Sequence, residues 1–154
     1  MRLIIASNNK NKIREIKEIL GDKFEEIVSM REAGIELDVK EDADSFIGNA
    51  RKKAEETAKL CPQDAVLADD SGLCVDALNG APGVYSARYM GENTSYDIKN
   101  QSILDRLQGV TGSDRSARFV CVIAAAFPDG RIITRRGTIE GVIADKPCGE
   151  EGFG

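Results

Sequence analysis

From Phe119 to Phe127 the chain runs for nine residues without a charge, then meets Pro128-Asp129-Gly130 and resumes as Arg131 to Thr138. A β-forming run, a turn tripeptide and a second β-forming run make a hairpin. Whatever fold the chain adopts must therefore hold one antiparallel pair, and the remaining segments have to pack around it.

Those segments alternate. Leu3-Ile4-Ile5-Ala6 is a short apolar run before a polar turn, which reads as a buried strand. Ile13, Ile16, Ile19 and Leu20 recur at helical spacing and form an amphipathic helix ending at Gly21. Ser45 caps a second helix that runs to about Leu60 and stops before Pro62. Ala65-Val66-Leu67-Ala68 is a second buried strand. A third helix is expected over Ser95 to Leu107, with Ile98, Ile103, Leu104 and Leu107 inward and Gly109 at its end. No repeat, low-complexity tract or linker divides the chain, so residues 1–154 are expected to form a single domain. Strands that alternate with helices and then close in a hairpin predict an α/β fold, a mixed twisted sheet flanked by helices.

Composition narrows the function. The chain contains no histidine. Ser-His-Asp and Cys-His machinery and the His-Glu-x-x-His zinc site are thereby excluded, so carboxylates, lysines or a bound metal must carry any chemistry. Cys61, Cys74, Cys121 and Cys148 form no Cys-x-x-Cys pair and read as reduced, mostly buried thiols. A net charge of −5 argues against a nucleic-acid partner, whose phosphates are gripped mainly by Lys and Arg. The longest apolar run falls far short of the roughly 18 residues of a membrane helix. The N-terminus turns polar at Ser7 and lacks a signal-peptide apolar region, so the expected location is cytoplasmic, without a membrane partner.

Three segments can carry chemistry. Ser7-Asn8-Asn9-Lys10-Asn11-Lys12 joins the first strand to the first helix, where backbone N–H groups and the helix dipole favour an anion. It lacks the glycines of a P-loop, and its plain reading is an Asn-rich helix cap on a solvated turn. The second strand run ends in Asp69-Asp70-Ser71-Gly72, at the edge where open α/β sheets keep their ligands. One carboxylate there can hold Mg²⁺ and the other can polarise a water, although Asp, Ser and Gly also suit an ordinary turn. On the second helix Phe46, Ala50, Ala54 and Thr57 share one face, while Arg51, Lys52, Glu55 and Lys59 lie on the other side. Lys53 stands inside the apolar stripe with Asn49 at its edge. Either it snorkels to water or its face borders a polar cleft that takes an anion. Glu41 is a loose carboxylate just before that helix. Acids and lysines together suit phosphoryl chemistry, in which Mg²⁺ stands between protein carboxylates and substrate phosphates.

Five motifs occur in order: Ser7-x-Asn9-x-x-Lys12; Glu41 ahead of Ser45-Phe46-Ile47-x-Asn49-Ala50; Asp69-Asp70-Ser71-Gly72-Leu73; Gly80-Ala81-Pro82-Gly83-Val84-Tyr85-Ser86-Ala87-Arg88-Tyr89; and Gly152-Phe153-Gly154. In this the chain resembles the inosine triphosphate pyrophosphatase family, which clears non-standard purine nucleotides. The resemblance implies two lobes with the active site in a central cleft, usually as a homodimer. It implies Mg²⁺-dependent hydrolysis of ITP, dITP and XTP to the monophosphate and pyrophosphate. Glu41 and Asp70 would hold the metal, and Asp70 would also accept the proton. Ser7, Asn8, Asn9, Lys10, Asn11, Lys12, Lys53 and Ser71 would contact the nucleotide, chiefly its phosphates. Phe153 and Gly154 would begin the base pocket. Members of that family continue past Gly-Phe-Gly and bring a later lysine and a Ser-His-Arg segment to the substrate, so the chain is expected to be C-terminally incomplete relative to them. The competing expectations are a Maf-like nucleotide pyrophosphatase of other specificity and a nucleotide-binding module without turnover.

Overall fold

In the computed structural model, residues 1–150 are described. Five strands and three α-helices follow the chain as β1 (Arg2–Ile5), α1 (Lys10–Leu20), β2 (Glu26–Ser29), α2 (Phe46–Leu60), β3 (Ala65–Val75), α3 (Tyr96–Arg106), β4 (Ser116–Ala126) and β5 (Ile132–Val142). Short 3₁₀ turns occupy Asp76–Leu78, Gly83–Arg88 and Gly112–Arg115. The strands form one sheet in the order β2-β1-β3-β4-β5. β1 is parallel to both neighbours, pairing Leu3 with Ile27 and with Ala65. β4 and β5 are the expected hairpin, closed by Phe127 N–H donating to the Arg131 carbonyl and by Gly130 at φ 85. The mixed α/β architecture is as expected.

The differences from the sequence reading have local causes. β2 is only four residues long and opens on a glutamate, so it carries too little periodicity to stand out. β3 does not stop at Ala68: Asp69 to Gly72 continue it as strand rather than forming a turn. The parallel partner β1, however, ends at Ile5 opposite Leu67, so the two acids begin just where that pairing stops. β4 starts earlier than the apolar run and β5 ends later than Thr138, and Arg118 reaches across this added length to Glu140 at 3.0 Å. On α1, Ile16 and Leu20 pack inward while Ile19 is 68% exposed. On α3, Ser95 is the N-cap and Ile103 and Leu107 are buried as expected. Ile98 is exposed and its neighbour Lys99 is buried instead, donating to the Ala87 carbonyl at 2.6 Å. Cys61 is buried, Cys74 and Cys121 are half-buried and Cys148 is exposed; all four are free thiols.

The chain divides into two compact units. The first comprises Met1–Asp70 and Val122–Arg136. Its core joins Leu3, Ala65 and Leu67 to Ile16 and Leu20 of α1, with Phe24, Ile27, Ile123, Ala125 and Phe127 around them. The second comprises Ser71–Cys121 and, among the described residues, 137–150. Its core is Val75, Ile103, Leu107 and Ala117, with Leu73, Leu78, Tyr89, Val110 and Ile143 packed against them.

Candidate active site

In the first unit β1 is followed through α1 by β2 on one side, while β3 lies on its other side. The direction of winding therefore reverses at β1. In open α/β sheets ligands bind beyond the C-terminal ends of the strands at such a switch point. The Ser7–Lys12 segment leaves the C-terminal end of β1, and Asp69 and Asp70 follow the last β1–β3 pair. Chain topology alone brings these two segments together.

The segment is built as a helix cap. The Asn9 side chain accepts from the N–H groups of Asn11 at 3.0 Å and Lys12 at 3.2 Å, and Ser7 Oγ accepts from the Asn9 N–H. Asn8, Asn9, Lys10 and Asn11 are exposed, whereas Ser7 and Lys12 are half-buried. The plain cap reading is thus correct for Asn9, and the cap stands beside an ion pair. Lys12 Nζ lies 2.5 Å from Asp69 Oδ2.

Asp69 and Asp70 are 5% and 6% exposed, unusually buried for carboxylates. Successive strand residues point to opposite faces. Ala65 and Leu67 pack with α1, so Asp69 faces α1 and meets Lys12, while Asp70 faces the other way and meets α2. Asn49 Nδ2 donates to Asp70 Oδ2 at 3.1 Å. Burial pushes the Asp70 carboxyl above its ordinary pKa; the Asn49 hydrogen bond and the Lys53 charge pull it down, Glu41 pushes it up, and Lys12 lowers it further.

Lys53 does not snorkel. Its Nζ lies 2.5 Å from Glu41 Oε1, and the lysine side chain is 17% exposed. The α2 face that carries it is buried at Asn49, Ala50, Ala54 and Thr57, so the stripe is apolar except where it meets Asp70 and Glu41. Glu41, loose in the sequence, is held against the helix. Within one unit the chain therefore gathers three carboxylates, two ammonium groups and a helix N-terminus. That set can bind a polyanion and present a basic carboxylate to water.

Ser71 is half-buried and is the first residue of the second unit. Phe153 and Gly154 lie outside the described residues. The residue that sequence reasoning left without a role is Asn49. Its signal was present, since a polar side chain at core-facing helical spacing needs a buried partner.

The chain is similar to known proteins in both sequence and fold. The Ham1 family model matches residues 3–154. A dITP/XTP pyrophosphatase of Clostridium perfringens is 46% identical over 158 residues, covering 99% of this chain and 78% of that protein. One from Desulforamulus reducens is 49% identical over 154 residues, covering 100% of this chain and 76% of that protein. The structure of the Staphylococcus aureus Ham1 protein superposes with a TM-score of 0.86 at 44% identity, over 100% of this chain and 78% of that one. A Coxiella burnetii HAM1 protein gives 0.87 at 39% identity, with the same coverage. Matched from its first strand onward by the family model, and similar in sequence and fold to these proteins, the chain belongs to the Ham1 family.

Proposed function

We propose that this protein hydrolyses non-standard purine nucleoside triphosphates, with dITP, XTP and ITP as the substrate class, to the monophosphate and pyrophosphate. The observation that carries the proposal is the placement of Asp70, Glu41, Lys12 and Lys53 around the β1–β3 switch point. The names of the curated relatives supply the substrate class.

The residues suit a magnesium ion. Glu41 and Asp70 offer hard oxygen donors, and the Glu41 charge adds to the cost of ionising Asp70, which a divalent cation would relieve. Among the described residues no group of three or more acidic, cysteine or histidine side chains encloses a metal. Mg²⁺ is commonly bound through one or two carboxylates, with waters and substrate phosphates completing its shell. Bound there by Glu41 and Asp70, it would neutralise phosphate charge and polarise the phosphorus centre. The Ser7–Lys12 cap and Lys53 bind and orient the triphosphate. Asp70, made more basic by burial, accepts the proton of the attacking water. The proposal includes Ser71 on the phosphates, base contacts from Phe153 and Gly154, and a cytoplasmic homodimer. No helix among the described residues is long and apolar enough to cross a membrane.

The experiment is product analysis with ITP and Mg²⁺. IMP with pyrophosphate supports the reading. A nucleoside diphosphate with inorganic phosphate contradicts it.

A further inference from the structure

Three consecutive residues before α2 are each fastened to that helix. Glu41 pairs with Lys53, Asp42 accepts from Lys52 Nζ at 2.7 Å, and the Ala43 N–H donates to Asn49 Oδ1 at 3.0 Å. The first two are charge pairs made by long, flexible lysine side chains. The third uses a short, fully buried amide at 0% exposure, and that same amide donates to Asp70 Oδ2 from its other end.

The chemistry of the amide makes this arrangement one-directional. A backbone N–H can only donate, so the oxygen of Asn49 must face Ala43 and its NH₂ must face Asp70. Turning the amide over would point two donors at each other near Ala43 and two acceptors at each other near Asp70. Asp70 Oδ2 is thereby kept as an acceptor, and the carboxylate is held in one orientation by that bond. The same side chain fixes the backbone two residues after Glu41.

From this geometry we infer that Asn49 is a positioning residue for the hydrolysis: it orients Asp70 and holds the Glu41 loop in register with it, without itself touching substrate. The inference rests on the proposed function for its catalytic consequence, and on the structure alone for its mechanical one.

Two variants separate the contacts. Asn49→Ser reaches neither partner. Asn49→Asp keeps an acceptor for the Ala43 N–H but replaces the donor facing Asp70 with a second carboxylate oxygen. Turnover of ITP is measured per folded molecule, well below each melting temperature, alongside hydrogen exchange of the Ala43 amide. Both variants should lose about 10²-fold in kcat, the scale set by misplacing a reacting group by an ångström. At saturating Mg²⁺, Asn49→Ser should leave KM within about threefold, because the lost orientation then acts on the chemical step rather than on ground-state binding. Ala43 exchange should accelerate in Asn49→Ser and stay slow in Asn49→Asp. Wild-type kcat in either folded variant, or a loss confined to KM, overturns the catalytic role. Unchanged Ala43 exchange in Asn49→Ser overturns the tether. If the wild-type protein fails to hydrolyse ITP at all, the functional reading falls, and the exchange result still decides whether Asn49 holds the loop.

Discussion

Asp69 and Asp70 are adjacent on β3, equally buried, and turned to opposite faces of the sheet, where Asp69 pairs with Lys12 of α1 and Asp70 accepts from Asn49 of α2. One acid has a full counter-charge at 2.5 Å; the other has a neutral donor at 3.1 Å, with the charges of Lys53, Glu41 and Lys12 acting on it without a direct ion pair. Two neighbours of identical chemistry thus have different partners, one charged and one neutral.

The two settings predict opposite mutational phenotypes. Because burial raises the pKa of Asp70, its charge opposes folding at neutral pH, and Asp70→Asn should melt at or above the wild-type temperature while turnover is abolished. Asp69→Asn removes the charge from a buried ion pair with Lys12, which should cost about 1–3 kcal/mol of stability and raise KM more than it lowers kcat. Thermal melts with steady-state kinetics check both. A destabilised Asp70→Asn, or equal kinetic losses in the two variants, contradicts the assignment.

Lys53 and Glu41 form a pair that is only partly screened. Lys53→Met puts an apolar group into an apolar stripe but strands Glu41 beside Asp70. We expect a loss of about 1 kcal/mol together with weakened triphosphate affinity. Glu41→Gln added to Lys53→Met should recover the stability without recovering activity, and a double-mutant cycle on melting free energy measures the coupling.

Acid stability has a separate source. Glu32 accepts from the Ser29 N–H and hydroxyl and from Lys17, and these bonds pull its pKa from the ordinary 4.5 to about 2. A carboxyl whose folded pKa is depressed adds stability above its unfolded pKa and loses it as pH falls toward the folded one. Glu32→Gln should therefore melt below wild type at pH 7, and the gap should close as the pH falls from about 5 to 2. A gap independent of pH would mean that Glu32 acts through packing rather than through its charge.

Much of this was legible in residue order. Apolar runs, the Ser45 and Ser95 caps and the hairpin tripeptide are local signals, and the structure forms those elements there, with β3, β4 and β5 longer than the runs that mark them. The facing of Asp69 and Asp70 also follows from strand alternation, once β3 is known to run through Val75. The Glu41–Lys53 pair was not legible, because the path of an irregular loop decides it. Nor was the exchange of Ile98 for Lys99 at the buried edge of α3, which depends on where the Ala87 carbonyl comes to rest. Asn49 was visible as an anomaly, but its role required both of its partners.

The most direct test follows the phosphorus atoms. Wild-type protein is incubated with ITP and Mg²⁺ and the products are resolved by ³¹P NMR, with Asp70→Asn as the control. The account predicts IMP and pyrophosphate from wild type and nothing from Asp70→Asn. Release of inorganic phosphate with IDP, or undiminished turnover by the variant, would contradict it.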